Sequence, residues 1–139
     1  MTVHVRASRR SDADPISLLL AELGYPAPVE TVAARLERTR KGVLVAEVDG
    51  RVVGLASFHV IPHLELDEPT ARLTSLVVAE DARGQGIGRA LVERATEQAR
   101  ERGCGRIELT SGDQRTEAHA FYRRLGFADH SRRFVRELG

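Results

Sequence analysis

The stretch Arg83-Gly84-Gln85-Gly86-Ile87-Gly88-Arg89 carries the densest chemical signal in the chain. Glycines at alternate positions remove the Cβ atoms that keep a ligand away from the main chain. A helix that starts here presents first-turn N–H groups and a positive dipole end. That chemistry suits a phosphate, and Arg83 and Arg89 add charge. The turn is not a Walker loop, because Lys and Ser/Thr do not follow Gly88. Nor is it a G-x-G-x-x-G dinucleotide turn, because position 89 is Arg. Further on, Ala118, Phe121, Tyr122 and Leu125 recur at i, i+3, i+4 and i+7. A phenol on that helical stripe, with a reference pKa of about 10, holds a proton near neutrality. Arg123 and Arg124 follow it and could meet a phosphate or form a solvated face. His119 could line a ligand groove or serve structure. His63, Glu65, Asp67 and Glu68 could supply a base, although a solvated acidic loop explains them as well.

The elements that must position these groups are legible from periodicity. Leu76-Val77-Val78 reads as a buried strand running into the glycine turn. After it, Ile87, Leu91, Ala95 and Ala99, beside Val92, give a helical stripe that ends at Gly103 or Gly105. Val3, Val5 and Ala7 alternate as a first strand. A helix capped by Asp14, with Pro15 in its first turn, is expected to bury Ile16, Leu19, Leu20 and Leu23 and to end at Gly24. Pro28 opens a second helix with Val29, Val32, Ala33 and Leu36 on its buried side. Val43 to Val48 and Arg51 to Val60 flank Asp49-Gly50, the turn chemistry of an antiparallel hairpin. Pro62 and Pro69 bound an irregular loop, and Leu73 to Val78 forms the next strand. Ile107 and Leu109 mark another, and Phe127 to Leu138 is expected to be a paired strand.

At 139 residues, with 42% hydrophobic and 29% charged residues, one globular domain over residues 1–139 is expected, large enough for a core without disulfides. Cys104 is the only cysteine, so an internal disulfide or a cysteine-based metal cluster is excluded, and no metal is called for. No apolar run approaches the roughly 18 residues of a membrane span, and the first residues lack a signal-peptide apolar region. A cytoplasmic protein without a membrane partner is expected. A net charge of +1 argues against general nucleic-acid binding. Lys41 is the only lysine among 21 basic residues, a bias expected of a GC-rich bacterial genome.

Arg83-x-x-Gly86-x-Gly88 resembles the acetyl-CoA signature Q/R-x-x-G-x-G/A of the GNAT superfamily of N-acetyltransferases. Arg115-x-x-Ala118-His119-Ala120-Phe121-Tyr122-x-x-x-Gly126-Phe127 resembles the family's second hallmark, a helix that often reads N-x-x-A-x-x-x-Y-x-x-x-G-F. The two come in the family's order. The resemblance implies an α/β (α+β) fold with a mixed, mostly antiparallel central sheet and helices on both faces. A splayed strand pair would mark the acetyl-CoA site. Acetyl-CoA is then the cosubstrate. Its pyrophosphate would lie on the backbone of Gly84, Gln85, Gly86, Ile87, Gly88 and Arg89, with Arg83 adding charge. Leu76, Val77 and Val78 would offer main-chain groups to pantetheine and acetyl. Tyr122 would be the general acid for the leaving thiolate, and Arg124 would reach the 3′-phosphate.

Two departures matter for mechanism. Arg115 stands where many members have an Asn that bonds the pantetheine arm. Thr110 stands where some members have a base Glu, so no base carries over. An α-amine acceptor, with a reference pKa of about 7.7 to 8.0, could do without one. The implied activity is acetyl transfer to a primary amine of a small molecule or peptide, by a protein expected to be a homodimer. The alternative is a catalytically weak acyl-CoA-binding regulatory or partner protein of the same fold.

Overall fold

The computed structural model describes residues 2–39, 41–111, 115–130 and 132–139. Five strands, β1 (His4–Ala7), β2 (Val43–Val48), β3 (Arg51–Ile61), β4 (Thr70–Val78) and β5 (Arg106–Glu108), form one sheet in the order β1-β2-β3-β4-β5. The first four are antiparallel to their neighbours, and β5 runs parallel to β4. Asp49 and Gly50 both take positive φ, 51° and 77°, and join Val48 to Arg51. Such two-residue turns match the twist of the strands they connect.

Helices cover both faces. Along β3 the side chains alternate: a Cβ built on Gly54 would stand 2.9 Å from Leu91 and 3.1 Å from Ile87 of α3 (Ile87–Glu101). Leu55 instead meets α1 (Ala13–Leu23) and α2 (Val29–Arg38). On α3 the stripe Ile87, Leu91, Val92, Ala95 and Ala99 is buried, as its spacing predicts. Burying Ile87 and Leu91 stabilises the fold by about 1.5–3 kcal/mol each. Gly54, within β3, has a packing reason: a side chain there would press on Leu91 and Ile87 of α3 and on Ala46 of β2, and these would have to give way.

The start of α1 differs from expectation. A 3₁₀ turn at Arg10–Asp12 precedes it, and the helix begins at Ala13 rather than behind an Asp14 cap. The carboxylate of Asp12 accepts both terminal N–H groups of Arg6, at 2.8 and 2.9 Å, and the Arg9 amide at 2.7 Å. Arg6 also reaches Glu47 at 3.3 Å. These contacts tie β1, the entry to α1 and β2 together. The Arg6 guanidinium holds the Asp12 carboxyl below the ordinary carboxylate range against the opposing effect of burial, and Asp12 in turn raises Arg6.

The C-terminal segment corrects a second expectation. Residues 127–130 and 132–139 form no strand, and position 131 lies outside the described residues. Phe134, Val135 and Leu138 are exposed. Among the described residues, the apolar residues that suggested a strand have no neighbouring strand to pair with, and without a ladder they are left in solvent.

Candidate active site

The β4–β5 ladder runs only from Thr70↔Arg106 to Arg72↔Glu108, whereas β4 continues to Val78. Beyond Arg72, β4 is paired on its β3 side alone, so the two strands splay. The Ala79 amide donates to the Val53 carbonyl at 2.8 Å. Main-chain groups alternate in an antiparallel pair, so Val77 is turned to β3 while Leu76 and Val78 face the open edge. On that edge Arg83 Nε donates to the Val78 carbonyl at 3.2 Å. Arg83 thereby braces the turn onto the strand. Main-chain N–H and C=O groups are obligatory hydrogen-bonding groups, and this edge offers them to something other than a strand.

The chain then passes through a 3₁₀ turn, Glu80–Ala82, into the glycines. Gly84 and Gly86 have φ of 79° and 80°, and Gly86 caps α3. Ala90 donates to the Gly86 carbonyl at 3.0 Å. The amides of Ile87, Gly88 and Arg89 therefore belong to the first turn, which has no intrahelical acceptors. A Cβ on Gly84 or Gly86 would meet nothing within 4 Å, so the approach to this backbone is open. A Cβ on Gly88 would stand 3.3 Å from the Phe121 ring and 3.7 Å from Val78. Two of the glycines set the path of the turn, and the third lets α4 (Thr116–Arg124) close against it. The nearby acid Asp81 is taken up by Arg51 in a bidentate pair at 3.0 Å, and Arg89 lies 4.0 Å from Glu93. The open amides and the free approach to them fit a pyrophosphate.

Helix α4 ends in a Schellman cap: Phe127 donates to the Tyr122 carbonyl and Gly126 to that of Arg123, both at 3.0 Å. The Tyr122 ring lies edge-on between Phe121, at 5.4 Å, and Phe127, at 5.9 Å. Among the described residues its hydroxyl has no hydrogen-bond partner. Burial pushes the phenol up from its ordinary value, and the Arg115 charge pulls the other way. Arg115 is exposed at the residue before α4. Arg123 pairs with Asp129 at 3.1 Å, while Arg124 is exposed and unpaired among the described residues. Thr110 accepts from Arg72 at 3.5 Å and Arg133 at 3.4 Å.

On the other face of the sheet, α1, α2, β3 and β4 enclose a cleft of about 400 Å³. Ile16, Leu20 and Leu23 of α1 and Val32 and Leu36 of α2 form its apolar walls. Arg35, Tyr25, Ser57, Thr74 and Ser75 supply the polar groups. Thr74 is the extra residue where the β3–β4 register shifts, and its hydroxyl lies 2.9 Å from that of Ser57. Sequence reasoning placed Ile16, Leu20, Leu23, Val32 and Leu36 on buried helix faces but did not identify the polar groups of the cleft. The one available signal was Arg35, a cation three residues after Val32 on an otherwise apolar helical stripe. The acidic loop does not join them. His63 Nε2 is bonded to Thr70 Oγ1 at 2.7 Å, at the end of β4 opposite the glycine turn.

Comparison with known proteins agrees with this geometry. The profile of the acetyltransferase (GNAT) family matches residues 13–127. An aminoalkylphosphonate N-acetyltransferase from Salmonella typhimurium is 34% identical over 96% of this chain and 90% of its own length. A glucosamine 6-phosphate N-acetyltransferase from Trypanosoma brucei brucei is 28% identical over 98% of this chain and 96% of its own. Among solved structures, one described as a transcriptional regulator from Bacillus halodurans C-125 superposes with a TM-score of 0.89. It is 30% identical and covers 99% of this chain and 100% of its own. An open β4 edge running into a glycine-capped helix, a family profile spanning that site and relatives that are N-acetyltransferases along their length lead to one conclusion: the chain belongs to the GNAT family of acetyltransferases.

Proposed function

We propose that residues 1–139 act as one domain that acetylates the primary amine of a small molecule, with acetyl-CoA held along the open β4 edge and the glycine turn. The observation that carries this reading is the continuity of the two: the β4 edge at Leu76 and Val78, which has no strand beside it, leads through one 3₁₀ turn to the amides of the α3 first turn, with Arg83 bracing the Val78 carbonyl between them. Acetyl-CoA supplies an activated acetyl thioester. The amides from Gly84 to Arg89 bind its pyrophosphate, and Leu76 and Val78 orient pantetheine and acetyl, leaving an N–H for the charge that develops on the carbonyl oxygen. Arg124 meets the 3′-phosphate. Arg115 holds its charge near the pantetheine arm in place of an Asn.

Tyr122 is the general acid. Its hydroxyl has no hydrogen-bond partner among the described residues, and burial favours its protonated form. As the amine nitrogen bonds to the acetyl carbon and the carbon–sulfur bond breaks, the phenol proton goes to the leaving sulfur. The amine must arrive neutral; the one proton it sheds as the amide forms goes to water, and water returns a proton to the Tyr122 phenolate. The cleft lining holds no carboxylate or imidazole among the described residues, which favours an acceptor with an appreciable neutral fraction over a lysine side chain. Both full-length relatives are named for small-molecule acceptors, which supports a small molecule over a peptide. The exposed Phe134, Val135 and Leu138 support a homodimer that covers them.

Thiol release from acetyl-CoA across an amine panel, with product identified by mass, tests the reading. One thiol per acetylated amine is expected. Acetyl-CoA binding without turnover on any amine would assign the fold to a regulator instead.

A further inference from the structure

We propose that the acceptor also bears an anionic group, a phosphonate, phosphate or carboxylate, and that Arg35 binds it. The inference rests on the acetyltransferase reading above and names the substrate class of that site.

Val32, Arg35, Leu36 and Thr39 follow one another at i, i+3, i+4 and i+7 along α2 and all face the cleft. Arg35 is the one charged side chain among the described residues that line it. Two other arginines are paired within the protein, Arg10 with Glu37 of the same helix α2 and Arg6 with Asp12. Arg35 has no carboxylate partner among the described residues. Arg35 is exposed to solvent at the rim of the cleft, so it stands unpaired without cost and its guanidinium can take up an anionic group of whatever occupies the cleft. The guanidinium presents parallel N–H groups that match two oxygens of a carboxylate or phosphonate, which makes it an anchor with orientation as well as charge.

The opposite wall positions the other end of the same molecule. Ser57, Thr74 and Ser75 present hydroxyls from β3 and β4, and Ser75 directly precedes Leu76 at the open edge. An amine seated against these hydroxyls stands on the strand along which the thioester is held, while the anion reaches α2. A cleft of about 400 Å³ is of small-molecule size. Arg35 also selects against polyamines, because a second ammonium group would face an uncompensated cation.

Matched acceptors of equal chain length separate the possibilities: an aminoalkylphosphonate, an amino acid carrying a carboxylate at the same position, and the neutral alkylamine. The wild-type enzyme is expected to favour one or both anionic amines over the neutral one by at least about 10-fold in kcat/KM. The better anion distinguishes a tetrahedral from a planar ligand. Arg35→Gln should raise KM for the anionic amine by about 10- to 100-fold and collapse the preference, leaving the acetyl-CoA dissociation constant unchanged. Arg35→Lys should restore part of the preference. Equal use of neutral and anionic amines by the wild type would overturn the proposal while leaving the acetyltransferase reading intact. So would an Arg35→Gln defect of the same size on both classes. Failure of every amine, with acetyl-CoA still bound, would refute the acetyltransferase reading itself.

Discussion

The glycine turn and the α1/α2 cleft serve one strand from opposite faces of the sheet, and they are made of different material. The turn offers main-chain N–H groups from one contiguous stretch, Gly84 to Arg89, at the start of a fifteen-residue helix. The cleft offers side chains brought from α1, α2, β3 and β4, with Arg35 on one wall and Ser75 on the other. Backbone donors are indifferent to most substitutions, whereas a side-chain pocket is rewritten by each one. On the proposed reading, a cosubstrate grip built from backbone stays fixed while the acceptor changes, so the turn would speak for the reaction and the cleft for the substrate.

The largest expected effect falls on the chemical step that joins the two faces. Tyr122→Phe keeps both edge-on ring contacts and removes only the proton, so kcat should drop about 10²- to 10⁴-fold with acetyl-CoA affinity nearly unchanged. Because burial raises the phenol's pKa, the wild-type kcat should hold through neutral pH and fall only above the usual tyrosine value of about 10. The variant should lack that alkaline limb. A near-wild-type rate would reduce Tyr122 to packing.

Next in size is the tie beneath the acceptor side. Arg6 and Asp12 have side chains only 11% and 6% exposed, and removing one partner of such a pair costs about 3–5 kcal/mol. Asp12→Asn should therefore lower Tm by on the order of 10 °C at neutral pH. The Asp12 carboxyl is held below its unfolded value of about 3.9, so its contribution is fully present above that pH and is lost as pH falls through the lower folded value. Thermal melts should show the wild-type advantage closing in strong acid. An advantage independent of pH would mean that the pair does not carry it.

The turn itself responds less than its position suggests. In sequence the alternate glycines read as room for a ligand; in the Gly86→Val variant a branched side chain stands in that room. At φ 80° the chain's own path also requires a glycine there, so the variant strains the helix start by about 1–3 kcal/mol. Acetyl-CoA affinity should weaken by roughly 5- to 150-fold, read by calorimetry, without a change in selectivity among acceptors. A shift in acceptor preference would break the separation between the two sides. The smallest effect belongs to Arg124→Gln: a few-fold loss for acetyl-CoA and none for its analogue lacking the 3′-phosphate. Equal losses on both ligands would remove Arg124 from that role.

The same contrast decides what could be read from sequence. The glycine turn, the α3 stripe, the Asp49-Gly50 hairpin and the Gly126-Phe127 closure were legible because each depends on residues within a turn or two of one another. The cleft was not, since Arg35 and Thr74 line one cleft only when α1 packs onto β3 and β4 with α2 beside it and a register shift makes Thr74 the extra residue. The C-terminal segment failed for a related reason. Strand propensity at Phe134 and Val135 is local, whereas a strand requires a neighbour, and the pattern alone does not name one. Asp14 is placed as a helix cap by local rules, but the long-range partner Arg6 settles the entry to α1 on Asp12 instead.

Residue-resolved amide spectra during titration with acetyl-CoA test the division of labour most directly. The account predicts that the amides of Leu76, Val78 and Gly84 to Arg89 shift and saturate together, while those of Tyr25 and Arg35 move only when an acceptor amine is added. Shifts confined to Tyr25 and Arg35, with the glycine turn unmoved at saturating acetyl-CoA, would contradict it.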